Sequence, residues 1–232
     1  LYITEYPYPL KGTFEEVYLG IPKEVLVNVM KAHQRYIPVE DSAGRPLPCF
    51  IFFANTVPKD DSNVVRGNEK VLRARLADAR FFFDEDRKVR LADRYERLAS
   101  IVFHVKLGTL KDKMERVRGI TLYLASILDP SAADKLERLI SLMKTDLVTH
   151  MVGEFPELQG TMGRIYAELE GEDTDVARAI EEHYLPTGGM GNLPVSSIGA
   201  IAAIADKLDS IVSFFSVGIN PTGNLDPYAL RR

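Results

Sequence analysis

Cysteine is all but missing from this chain. The single Cys49 among 232 residues cannot form an intrachain disulfide, and one thiol in a chain of this size fits a reducing cytoplasm. Basic charge is not in excess either. With 29 Lys and Arg against 33 Asp and Glu, the net charge of -4 excludes a protein that holds nucleic acid by bulk charge, so any RNA contact has to come from a local patch. No apolar run suits lipid: the most apolar stretch, 195–217, carries Asp206, Lys207 and Asp209 near its middle and is read as a core helix. No membrane association is expected. The N-terminus has no initiator Met, no basic segment and no apolar segment, so no signal peptide is visible and the chain is expected to begin mid-protein. The closing run Asp226-Pro-Tyr-Ala-Leu-Arg-Arg232 reads as the opening of a helix that has lost its continuation.

Missing motifs exclude further classes. There is no Walker-type Gly-rich loop, no dinucleotide fingerprint, no Gly-x-Ser-x-Gly elbow, no Cys pair and no His-Glu-x-x-His, which disfavours the common soluble-enzyme chemistries. One Cys and four scattered His, at 33, 104, 150 and 183, argue against a structural zinc site. Internal repeats and low-complexity tracts are also absent.

What is present is 46% hydrophobic content, enough for one large domain or two small ones. Pro22 suits the first position of a helix over 22–33, with Val25, Leu26 and Val29 on its apolar face. Residues 34–40 and 48–55 are β-branched and aromatic, and the turn-forming run Asp41-Ser-Ala-Gly-Arg-Pro46 between them predicts a hairpin. A long helix is predicted over 63–88. At about 100° per residue Val65, Leu72, Leu76, Ala79 and Phe83 share one stripe, and Arg66, Lys70, Arg73 and Arg80 fall on another roughly 100° away. From Leu91 onward the pattern is helical, over 91–99, 110–128, 131–152, 156–170, 174–184 and 195–217, with breaks at Gly108, Pro130, Gly171 and the loop Pro186-Thr-Gly-Gly-Met-Gly191. The expected fold is mainly α: a small α/β part over 1–90 with a β-hairpin and a long basic helix, an all-α domain over 91–219, and the start of a C-terminal connection over 220–232.

Three groups could carry function. The Arg66, Lys70, Arg73 and Arg80 stripe could track a phosphate backbone, since guanidinium groups bind phosphate in bidentate fashion. Charge rows on helices are more often solvated, and Glu69 four residues before Arg73 is an i,i+4 pair typical of such a face. Asp206 lies in the apolar segment Ile198-Gly-Ala-Ile-Ala-Ala-Ile-Ala205, so its carboxylate needs a partner, with Lys or Arg favoured over metal. Asp146 and His150 share an i,i+4 spacing that could ligate metal with His183, although a structural hydrogen bond or an exposed pair is the more common meaning.

Pro22-Lys-Glu-Val-Leu26, Met30-Lys-Ala-His-Gln-Arg-Tyr36, the run from Val65-Arg-Gly-Asn-Glu-Lys70 to Phe83-Asp-Glu-Asp86, and Gly153-Glu-Phe-Pro-Glu-Leu-Gln-Gly-Thr-Met-Gly163 closely resemble the beta subunit of bacterial glycyl-tRNA synthetase. Pro221-Thr-Gly and the closing run extend the resemblance nearly end to end. It implies a non-catalytic section of a glycine-tRNA ligase, in the cytoplasm, that supports tRNA binding and assembly with the alpha subunit as α2β2. The alpha subunit would use the ATP and Mg, leaving this section without cofactor or metal of its own and inactive alone.

The helical half of that subunit is similar to HD-type metal phosphohydrolases, so the resemblance further implies a degenerate HD-like domain. Lys113, Thr145-Asp146 and Asp206 stand at the metal-binding positions, and His183 matches an accessory His of some members. Both imidazoles are gone while both carboxylates remain, which makes a poor transition-metal site. Lys113 is expected to take the metal's charge role and to bridge Asp146 and Asp206. The alternative is a metal-dependent HD-type phosphohydrolase acting on nucleotides or RNA ends.

Overall fold

A computed structural model describes residues 6–188, 191–222, 226, 228 and 230; of His33 only the backbone is described. The chain is mainly α with a small antiparallel sheet and divides into two compact units. Leu1–Lys88 with Glu154–Leu158 form the first, and Val89–Gly153 with Gln159–Arg232 the second. No helix among the described residues is long and apolar enough to cross a membrane.

In the first unit, β1 (Tyr8–Thr13), β2 (Ile37–Glu40) and β3 (Pro46–Ala54) form an antiparallel sheet in the order β1-β3-β2. The expected hairpin is β2 and β3. Its turn is fixed by the Asp41 carboxylate, which accepts the N–H groups of Ala43 and Arg45, while Gly44 supplies the positive φ of 75°. Strand β1 is not marked in the sequence, because Tyr8-Pro-Leu-Lys-Gly-Thr13 lacks a β-branched run. Pairing makes it a strand, with Leu10 opposite Phe52 and Thr13 opposite Cys49. Buried Phe50 stacks with Tyr36, ring centres 4.6 Å apart, and buried Phe52 meets the same ring tilted, at 5.7 Å.

Residues 22–33 begin as α1 (Lys23–Asn28) and finish as a π-helical turn, Val29–His33. Helix α2 (Asp61–Asp86) starts where the Asp60 side chain accepts the Ser62 N–H at 2.9 Å. Of the stripe read from periodicity, Leu72, Leu76, Ala79 and Phe83 are buried and Val65 is half-buried. Tyr36 holds α2 by donating its hydroxyl to Asn68 at 2.6 Å.

The second unit departs from an all-α expectation by one strand pair, β4 (Val102–His104) and β5 (Gly108–Thr109), closed by Gly108 at φ 85°. Residues 92–100 before it wind as a 3-10 helix, Ala92–Ser100. Helix α3 (Leu110–Leu128) opens with a capping box between Thr109 and Asp112.

The single helix expected over 131–152 is broken. It divides into α4 (Ala133–Leu142), a 3-10 turn over Thr145–Val148 and α5 (His150–Glu154), with Lys144 left-handed at φ 62° between the first two. No Pro or Gly marks that break, so periodicity runs through it. Likewise 156–170 is a 3-10 turn followed by α6 (Thr161–Leu169), parted at Gly160, φ 78°. Helices α7 (Thr174–Glu182) and α8 (Ser197–Ser216) complete the unit, and α8 packs on α3, α4 and α7. The loop expected from Pro186 is described to Gly188 and again from Gly191, and most of the connection expected over 220–232 lies outside the described residues.

Gly12 of β1 faces the buried Phe50 ring so closely that an added Cβ would overlap it. Gly12→Ala is expected to lower stability by about 1–3 kcal/mol, read as a shift in the urea midpoint; an unchanged midpoint would show that the ring yields freely.

Candidate functional site

The second unit holds a buried ionic centre built by α3, α8 and the irregular segment around residue 144. Lys113, on the inner face of α3 and 3% exposed, donates to the Asp209 carboxylate at 3.0 Å, Ser210 Oγ at 2.8 Å and the Asp206 carbonyl at 3.0 Å. Its ammonium also lies 3.1 Å from Asp206 Oδ1 and 4.9 Å from the Phe103 ring centre. Arg116, one turn along α3, donates Nε to the second Asp209 oxygen at 2.7 Å. One pair of cations thus clamps α3 to α8.

A second ammonium meets the other oxygen of Asp206. Lys144 donates to Asp206 Oδ2 at 3.1 Å, sits 3.3 Å from His183 Nε2 and lies 4.5 Å from the Tyr184 ring centre. His183 Nδ1 is 2.6 Å from the Ile180 carbonyl, which can only accept, so Nδ1 carries the proton and Nε2 offers a lone pair to Lys144. The imidazole is neutral. Burial first, then the Lys144 ammonium, pushes its pKa down to about 3. Burial pushes the Asp206 carboxyl up, but Lys144 and Lys113 more than reverse this and hold it well below the usual carboxylate range.

Asp146 stands apart. It is fully buried, Oδ2 accepts the Gly160 N–H at 2.5 Å, and Oδ1 has no hydrogen-bond partner among the described residues. Burial raises its carboxyl pKa. Gly160 can donate there because it lacks a side chain: a Cβ would lie 2.7 Å from the Tyr184 ring.

Of the four residues expected at this centre, Lys113, Asp206 and His183 are brought together through Lys144, while Asp146 is not in contact with them, so the expected pairing holds only for Lys113 and Asp206. Lys113 does not bridge Asp146 and Asp206; it joins Asp206 to Asp209, and Lys144 joins Asp206 to His183. The reason is reach: Lys113 projects from α3 against α8, whereas Lys144 precedes Asp146 on its own segment. His150 is exposed at the start of α5 while Asp146 is buried in the preceding turn, so the expected shared helix face does not form. Sequence reasoning misses Lys144 and Asp209. Each leaves a signal: a Lys after the apolar run Leu139-Ile-Ser-Leu-Met143, and a second carboxylate three residues beyond Asp206 on an apolar helix.

The centre does not fit a resident metal. Among the described residues no three His, Cys, Asp or Glu side chains group closely enough to hold one, and the lone pairs of Asp206 and His183 already face the Lys144 ammonium.

The basic stripe lies in the first unit on α2. Arg73 pairs with Glu15 at 2.5 Å, and Arg80 reaches Asp84 at 3.7 Å and the Val17 carbonyl at 3.5 Å. Glu69 is not the partner of Arg73. It accepts the Thr13 N–H and hydroxyl at 2.8 and 2.9 Å, tying α2 to β1. Arg66 donates to the neutral Asn63 amide, and Lys70 is exposed with no ion pair among the described residues.

A family model described as glycyl-tRNA synthetase beta subunit matches residues 1–232. The chain belongs to the glycyl-tRNA synthetase beta subunit family. Its similarity to glycine-tRNA ligase beta subunits is 55% identity over 231 residues for those of Geobacter sulfurreducens and Syntrophus aciditrophicus, and 54% for that of Geobacter metallireducens. All of this chain is covered in each case, but only 34% of each relative, so the chain spans about a third of the length of these beta subunits.

Two outcomes follow for the ionic centre. Lys144→Met leaves buried Asp206 short of one ammonium and is expected to cost about 3–5 kcal/mol in chemical denaturation; a loss below about 1 kcal/mol would mean the pair is solvated.

The second concerns acid. Unfolded His183 takes its proton near 6.5 and the folded residue only near 3, so this contribution is whole above pH 6.5 and is lost as pH falls towards 3. Asp206 acts in the same sense below its unfolded value of 3.8, and Asp146, with a raised pKa, acts in the opposite sense above 3.8. His183→Gln is expected to flatten the fall in stability between pH 6.5 and 5, measured by urea titration at each pH. An unaltered slope would assign that fall to other groups.

Proposed function

We propose that this chain is a non-catalytic section of the beta subunit of a tetrameric glycine-tRNA ligase. It works in the cytoplasm with glycine tRNA and the alpha subunit, supporting tRNA binding and α2β2 assembly while the alpha subunit uses ATP and Mg. The observation that carries the non-catalytic part is the Lys144 ammonium between Asp206 and His183, because it satisfies the donors that a hydrolytic metal would need. On this reading the helical unit is a degenerate HD-like domain whose Lys113, Asp146, Asp206 and His183 have become structural. The metal-dependent phosphohydrolase reading is not favoured.

Helix α2 is the proposed place of tRNA contact, through Arg66, Lys70, Arg73 and Arg80. The four are unequal. Arg73 and Arg80 already share their charge with Glu15 and Asp84, so a phosphate must compete for them, whereas Arg66 faces a neutral amide and Lys70 is exposed. In the assembled synthetase, Arg66→Glu with Lys70→Glu is expected to weaken tRNA binding at all sequences and to lower the salt dependence by about one ion per lost phosphate contact. Arg73→Glu with Arg80→Glu should do less. Unchanged affinity in all four would make the stripe structural, and Mn²⁺-dependent release of phosphate from nucleotides by this chain would overturn the non-catalytic reading.

A further inference from the structure

Helix α8 is packed by α3, α4 and α7, yet one side of it is bare and apolar. Ile204, Leu208, Ile211, Val212 and Phe215 are 51, 42, 37, 58 and 48% exposed. At about 100° per residue these five fall within an arc of about 100°. The helix's charged residues, Asp206, Lys207 and Asp209, all lie outside that arc and serve the buried centre and the preceding segment. A solvated helix side carries polar residues, and five large apolar side chains in one uncharged stripe mark a surface that another element covers.

The stripe is continuous with apolar features at both ends. Beside Ile204 a groove of about 270 Å³ is lined by Leu185, Leu193, Pro194 and Ala203, with Lys207 at its edge. At the other end Tyr228 and Leu230 line a cavity of about 410 Å³ with Ile211, the Tyr228 ring stacks on buried Phe214, centres 4.1 Å apart, and Asp226 accepts the Leu230 N–H at 2.9 Å. The polypeptide therefore returns to the end of α8 after leaving it.

We propose that this face of α8 seats an apolar helix from the rest of the same beta-subunit chain. The inference rests on the family membership and not on the reading of α2 as an RNA contact. Relatives 55% identical to this chain are about three times its length, so roughly two-thirds of such a subunit lies outside the residues that leave the face bare. Continuity at Tyr228 favours the same chain over a separate one. A helix is the fitting occupant, because it satisfies its own backbone hydrogen bonds and can set a ridge of Leu, Ile, Val or Ala side chains into an uncharged stripe of this width.

The test uses the full-length beta subunit in its assembled enzyme, with the photocrosslinker p-benzoylphenylalanine in place of Leu208 in one protein and of Val212 in another. The expected product at both positions is an intrachain crosslink, identified by mass spectrometry, to a peptide of the beta subunit outside these 232 residues. A crosslink to the alpha subunit, to a second beta copy or to tRNA, or none at either position, overturns the proposal. Aminoacylation by each crosslinker protein before irradiation reports that it has folded and assembled.

Discussion

An ammonium group can be taken out of water only where carboxylates and lone pairs surround it, and the helical unit is arranged around two such groups. Lys113 lies against Asp206 Oδ1 and Lys144 against Oδ2, with Asp209 and His183 as their further partners. To bring Lys144 inward the chain adopts a left-handed residue after α4, so a run that its periodicity would continue as one helix is cut in two. The same segment then buries Asp146, which needs the Gly160 N–H, and that requirement parts the next helical run at Gly160. The two helix breaks and the α3 to α8 contact thus all border the same buried charges.

Such a centre contributes specificity more than net stability. Desolvating several charges offsets much of their attraction, but removing one partner leaves another charge buried and alone, so alternative packings of α3 and α8 are strongly disfavoured. The arrangement also bears on chemistry. A positive charge held by covalent attachment to the chain does the neutralising that a bound metal would do, but it has no open coordination position and activates no water. Outside this centre the chain exposes two further surfaces, one on α2 and one on α8.

Those surfaces differ in kind. On α2 the cations are divided between those held by Glu15 and Asp84 and those facing a neutral amide or solvent. On α8 the exposed stripe has no charge at all. A charged row can serve an RNA or remain solvated at little cost, whereas an uncharged stripe of Ile, Leu, Val and Phe in water is costly, about 25 cal/mol for each Å² left exposed. Only the second compels a partner.

Much was legible in the sequence where a local rule governed. The hairpin followed from its turn residues, and the buried stripe of α2 from 3.6-residue spacing. Helix α3 followed from Gly108 and an apolar period, and family membership from ordered segments spread along the chain. Asp206 announced its need for a partner by being the first charge in an apolar helix. Apart from the approach of Lys113 to Asp206, which the family resemblance implied, features set by groups distant in sequence stayed hidden. Strand β1 exists because β3 offers it hydrogen bonds, Glu69 turns to Thr13 in place of Arg73, Lys113 joins Asp206 to Asp209 and not to Asp146, and Lys144 meets His183. The sequence by itself determined which residues prefer helix or strand and which charges must be satisfied, because propensity and burial cost belong to each residue and its near neighbours. Which partner satisfies each charge was decided only by the tertiary structure, because a side chain reaches a few ångströms and only the packing of α3, α8 and the segment at Lys144 places those few ångströms together.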